Sequence, residues 1–63
     1  MFRILVDVLY EGDKHYIEAA CNSGDTKPES NFVTGSSVIE ADTSDIYLFD
    51  EEGNTGEKWV KVQ

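Results

Sequence analysis

Along the first ten residues, apolar side chains recur at every second position. Phe2, Ile4, Val6, Val8 and Tyr10 alternate with Arg3, Leu5, Asp7 and Leu9. A period of two, rich in β-branched and aromatic residues, predicts a strand. The second face is itself half apolar, so a central strand, or one covered on both sides, is expected. Glu11-Gly12-Asp13-Lys14 reads as a tight turn in which Gly12 supplies a positive φ. His15, Ile17, Ala19 and Cys21 then alternate with Tyr16, Glu18 and Ala20, which predicts a return strand and a hairpin over residues 1–21. Glu18, Ala19 and Ala20 favour helix, but the segment is short and uncapped, and strand is the better reading.

Residues 22–34 break the pattern. Ser23-Gly24-Asp25 and Lys27-Pro28-Glu29-Ser30-Asn31 have loop composition, and Pro28 holds Lys27 extended. Phe32 and Val33 are the loop's apolar residues, and they are expected to pin it on the sheet as a small lid. A loop this long in so small a domain is either mobile or functional. From Gly35 the alternation returns: Ser37, Ile39 and Ala41 against Val38, Glu40 and Asp42, a turn at Asp42-Thr43-Ser44-Asp45, then the apolar run Ile46-Tyr47-Leu48-Phe49. Asp50 to Glu57 forms a longer hairpin loop, and Lys58 to Val62 closes the chain, with Trp59 on one face and Val60 and Val62 on the other. Three short strands joined by two polar turns make a meander over residues 35–63. The expected fold is therefore all-β, a small antiparallel sheet of about five strands in a single domain, either open and twisted or curled into a partial barrel.

Sixty-three residues suffice for one domain. At this size burial is incomplete and a staple is expected. Cys21 is the only cysteine, which excludes an internal disulfide, and one histidine makes no zinc cluster. Self-association or docking on a larger assembly is the remaining staple. An uncovered face and free sheet edges would supply the contact surface. Thirteen acidic against five basic residues give a net charge of −8. That charge repels phosphate backbones and anionic lipid, so neither nucleic acid nor a membrane surface is an expected partner. No apolar run approaches the roughly 18 residues of a membrane span, no secretory signal is visible, and a lone cysteine suits the reducing cytoplasm of a host cell.

Chemistry finds few candidates. Along one strand His15 and Cys21 would lie roughly 20 Å apart, too far for a nucleophile and its base. His15 is expected as a partly exposed strand residue and Cys21 as a small buried hydrophobe. Ser36 and Ser37 have no second histidine to activate them. Glu40 and Asp42 share a strand face roughly 7 Å apart, which reads as a solvated face. Asp50, Glu52 and Asn54 resemble the front half of a calcium loop. However, an EF-hand needs glycine at position six and Glu at position twelve, whereas here Gly56 is at seven and Lys61 at twelve. A plain hairpin loop is the stronger reading, and no cofactor is expected. Tyr47, Phe49 and Trp59 are placed as a cross-strand aromatic cluster. The alternative is an exposed platform for sugar or protein.

One resemblance emerges from the loop and meander. Asp25-Thr26-Lys27-Pro28, Gly35-Ser36, Ile39-Glu40-Ala41-Asp42-Thr43-Ser44, Ile46-Tyr47-Leu48-Phe49-Asp50-Glu51 and Trp59 stand in the order seen in a group of short phage and prophage proteins found among capsid and tail genes. The chain resembles that group over residues 21–62. It departs from it where Phe32-Val33-Thr34 replace a proline or asparagine before the Gly-Ser, and where Gly56-Glu57-Lys58 extend the last hairpin. The resemblance implies a non-enzymatic minor virion or assembly protein that works through protein–protein contacts, with itself or with a larger virion protein. It implies no catalytic residues. Candidate contact residues are Leu5, Leu9, Phe32, Tyr47, Phe49 and Trp59. Two other classes compete: a small acidic inhibitor or nucleic-acid mimic, and a carbohydrate-binding accessory module using the aromatics.

Overall fold

The computed structural model describes residues 1–63 and contains no helix. Its five strands are β1 (Arg3–Glu11), β2 (Lys14–Cys21), β3 (Ser37–Glu40), β4 (Asp45–Phe49) and β5 (Trp59–Lys61). They lie side by side in chain order in one open sheet. The all-β expectation therefore holds, and the sheet is mostly antiparallel. A parallel seam joins the two halves, where Glu18 to Cys21 of β2 pair with Ser37 to Glu40 of β3. Parallel neighbours need a crossover of a dozen or more residues. The segment from residue 22 to 36 is that crossover, and it passes over one face of the sheet.

β1 and β2 form the expected hairpin. Glu11 pairs with Lys14 across Gly12-Asp13, and Gly12 has φ +58°. A positive φ at the first central residue is the mark of the tight II′ turn, whose twist matches the flanking strands. β1 departs from simple alternation. Ile4 pairs with Ala19 and Val6 with Glu18, leaving Leu5 as an extra residue. A bulge of this kind moves every later side chain to the other face. The apolar row Phe2, Ile4, Val6, Val8, Tyr10 is therefore not one face, which corrects the sequence reading. Ile4 lies on the side of Ala19 and Ile17, whereas Val6 and Val8 lie on the side of Glu18 and Tyr16. A second shift falls between Leu9 and Glu11, at Tyr10.

The covered face holds the core. Ile17, Ala19, Cys21, Phe32, Val38 and Phe49 form its buried cluster, with Phe2, Tyr47 and Trp59 packed around it. Phe32 and Val33 are buried as the lid residues expected of them. The lid also joins the sheet by its backbone. The His15 N–H donates to Asn31 O at 2.7 Å, and the Val33 N–H donates to His15 O at 3.0 Å. The chain then drops into β3 through Gly35 and Ser36. Fully buried Ser36 accepts the Ile17 N–H on its Oγ at 3.1 Å, and the Phe49 N–H donates to its carbonyl at 2.8 Å. The expected meander follows, in which Ile39 pairs with Ile46 and Phe49 with Trp59.

Candidate interaction surface and the lid on the opposite face

The lid is held by its charged residues. Asp25 accepts the Asn22 N–H at 2.8 Å and an ion pair from the Met1 amine. The Trp59 indole N–H donates to the Pro28 carbonyl at 2.8 Å. Glu29 accepts the N–H groups of Gly56 at 2.8 Å and Lys58 at 3.1 Å, tying the lid to the last loop. Asp42 takes both the N–H and the hydroxyl of Ser23, at 2.9 and 2.7 Å. Glu51 takes the Thr34 N–H at 3.0 Å and pairs with Lys14. These carboxylates receive backbone donors that no strand satisfies, which a loop-rich domain otherwise leaves to water. Much of the acidic composition is thus scaffold as well as solvated surface.

Beneath the lid lies a shielded ion pair. Lys27 Nζ is 2.6 Å from Glu40, whose side chain is only 4% exposed. Thr43 donates its hydroxyl to the other carboxylate oxygen at 3.1 Å, and the ammonium stands 4.7 Å from the centre of the Tyr47 ring, within cation–π range. Burial opposes the charge on Lys27, yet the hydrogen bond and the charge of Glu40 outweigh it and raise the Lys27 pKa. The sequence reading of Glu40 and Asp42 as one solvated strand face is overturned. Glu40 points inward, and Asp42 lies in the turn bonded to Ser23. The signal was present in the phase of β3, because an inward Val38 obliges Ser36 and Glu40 to point inward too.

Four aromatics, Phe2, Phe32, Phe49 and Trp59, form one cluster across lid and sheet. The Phe49 and Trp59 rings meet edge to face at 4.9 Å, Phe32 meets Phe49 in the same way at 5.6 Å, and Phe2 and Trp59 are 6.4 Å apart. Of the sequence-proposed contact residues, Phe32 and Phe49 are core, and Tyr47 and Trp59 are half-buried. An open cleft of about 520 Å³ runs between Tyr47, Trp59 and the lid residues Asp25 to Glu29. Most of its polar groups are already engaged: the Trp59 N–H by Pro28, Glu29 by Gly56 and Lys58, and Lys27 by Glu40.

The remaining candidates do not converge on chemistry. His15 Nδ1 lies 2.7 Å from Asp7 on β1, in an exposed dyad that no serine or cysteine joins. Cys21 is buried, and burial pushes its thiol pKa up, with Lys27 pulling it down less strongly. Asp50 Oδ1 accepts the Glu52 N–H at 2.9 Å as a local turn bond. No three His, Cys, Asp or Glu side chains gather at metal-binding spacing, at Asp50, Glu52 and Asn54 or elsewhere.

The opposite face is bare. By register it carries Arg3, Val6, Val8 and Glu11 of β1; Lys14, Tyr16, Glu18 and Ala20 of β2; Ser37 and Ile39 of β3; Ile46 and Leu48 of β4; and Val60 of β5, followed by Val62. Val6, Val8, Ile39, Leu48, Val60 and Val62 are 39–53% exposed. β1 is more exposed still, because the lid stops short of it. All nine of its residues face water, with Leu5 and Leu9 at 66% and 63%. Its outer edge pairs with no strand, so β1 is an exposed edge strand, neither central nor covered on both sides, which corrects the expectation drawn from its two apolar phases. No helix is long and apolar enough to cross a membrane. Comparison with protein-family models, curated proteins and solved structures gave no match.

Proposed function

We propose that this chain is a non-enzymatic assembly protein, of the kind a phage or prophage particle uses as a minor component, acting by protein–protein contact through its open sheet face and β1. One observation carries the reading: a nine-residue edge strand, apolar on both sides and covered by nothing in its own chain, continues into a bare apolar sheet face. Natural proteins blunt long apolar edges or use them, and contiguous apolar patches of this extent mark contact sites. β1 is blunted only by its bulges and by Arg3, Asp7 and Glu11. The phage context is supported by the resemblance over residues 21–62 alone. The test is photo-crosslinking in the producing cell, with benzoylphenylalanine at Leu9 and at Val60. Both positions are expected to give protein adducts, and the same probe at Glu52, in the exposed loop between β4 and β5, none. Adducts only at Glu52, or at none of the three, would remove the reading.

A further inference from the structure

We propose that the open face is a self-association surface on which a second copy of this chain docks face to face, making a two-layer β-sandwich. The inference rests on the reading above, that this face is the working surface, and it names the occupant. Two features point to a copy of the chain itself. The first is charge. The molecule carries −8, yet the strand positions on this face sum to zero: Arg3 and Glu18, and at its turn end the cross-strand pair Lys14 and Glu11. The acidic residues other than Glu11 and Glu18 sit on the lid side, in the turns and in the loops. Two copies meeting here bring no net charge into contact, and their other charges are largely screened beyond the ~8 Å Debye length.

The face is also self-complementary. Arg3 makes no ion pair within its chain. Glu18 takes only the Tyr16 hydroxyl at 2.9 Å. A two-fold axis between them sets Arg3 of each copy against Glu18 of the other, as an isologous interface requires. The second feature is area. The molecule's two longer extents, 33 and 24 Å, bound a face of roughly 600 Å² in projection, and accessible area exceeds projection; a standard interface takes about 800 Å² per partner. Sheets with twisted apolar faces pack in this way about 10 Å apart.

Sedimentation of the purified chain from ~10 to ~500 µM is expected to show a species of twice the 7.1 kDa chain mass. Leu48→Lys and Val60→Lys should each weaken the pair at least ~10-fold. If either variant loses its fold by circular dichroism, the exposed charge pair decides. Arg3→Glu and Glu18→Arg should each weaken association, and the double reversal should restore it to within ~3-fold of wild type. A 7.1 kDa species at every concentration, a dimer indifferent to Leu48→Lys and Val60→Lys (one held by β1 edges), or a double reversal that restores nothing would overturn the proposal. Failure here is separable from failure of the broader reading. A monomer whose Leu9 and Val60 probes still capture a different protein loses the self-association and keeps the contact function; a monomer with no adducts loses both.

Discussion

The Lys27 ammonium lies 2.6 Å from the Glu40 carboxylate, and the lid shields both from water. Removing one partner strands the other in a poorly solvated site, which typically costs about 3–5 kcal/mol. That is a large share of the stability of so small a domain. Lys27→Met should therefore lower the urea midpoint sharply. Lys27→Met with Glu40→Met should recover most of the loss, because a shielded ion pair adds little net stability over apolar packing. Equal midpoints for the single and double variants would show that Glu40 is solvated.

Acid should melt the lid contacts. The carboxyl of Asp25 is held below its ordinary value by the Met1 amine and the Asn22 N–H, that of Asp42 by the Ser23 hydroxyl and N–H, and that of Glu51 by Lys14 and the Thr34 N–H. A carboxyl whose pKa is lower in the folded than in the unfolded chain leaves the unfolded state binding more protons. Its contribution is complete above the unfolded value and is lost as pH falls through the folded one. The melting temperature is expected to hold between about pH 5 and 8 and to fall steeply below about pH 4. A flat profile down to about pH 2.5 would mean that these contacts add nothing to stability.

Much of the architecture was legible in the sequence because it is local. Ile17, Ala19 and Cys21 alternate with polar or small neighbours, and Phe49 and Trp59 flank a turn-rich loop, so the hairpin, the meander and the aromatic pair follow from period and punctuation. The bulge at Leu5 was illegible because both phases of β1 are apolar, and alternation cannot locate a slip between two apolar phases. The parallel seam, and the partners of Asp25, Glu29 and Glu51, depend on contacts remote in sequence, which no local pattern encodes. The bare face was half visible. Val60 and Val62 opposite Trp59 announced a second apolar side, but which side the lid would take is decided by the crossover.

Cys21 should resist modification in the native state. It is 2% exposed and burial raises its thiol pKa, so little thiolate forms and little reagent reaches it. Alkylation by iodoacetamide is expected to be at least ~100-fold slower than for an unfolded thiol, and to track the opening of the lid. Lys27→Met should accelerate it. A native rate equal to the rate in denaturant would place the thiol at the surface.

Gly35 turns the lid into β3 at φ +102°, with open space where a Cβ would project. Gly35→Ala therefore meets no clash, only a backbone conformation that alanine resists, and should cost about 1 kcal/mol or somewhat more. Gly24→Ala, also in open space but without a positive φ, serves as the control and should stay within about 0.5 kcal/mol of wild type by chemical denaturation.

The parallel seam between β2 and β3 makes the domain indivisible. On one side stands a two-stranded hairpin and on the other a three-stranded meander, and each would be left with the same inner face bare. An isolated hairpin is marginal in water, and neither piece holds the lid that closes the core. Cooperativity therefore arises at a single crossing. Until residues 22–36 have brought Ser37 to Glu40 beside Glu18 to Cys21, the buried cluster is incomplete, because it draws Ile17, Ala19 and Cys21 from one half and Val38 and Phe49 from the other.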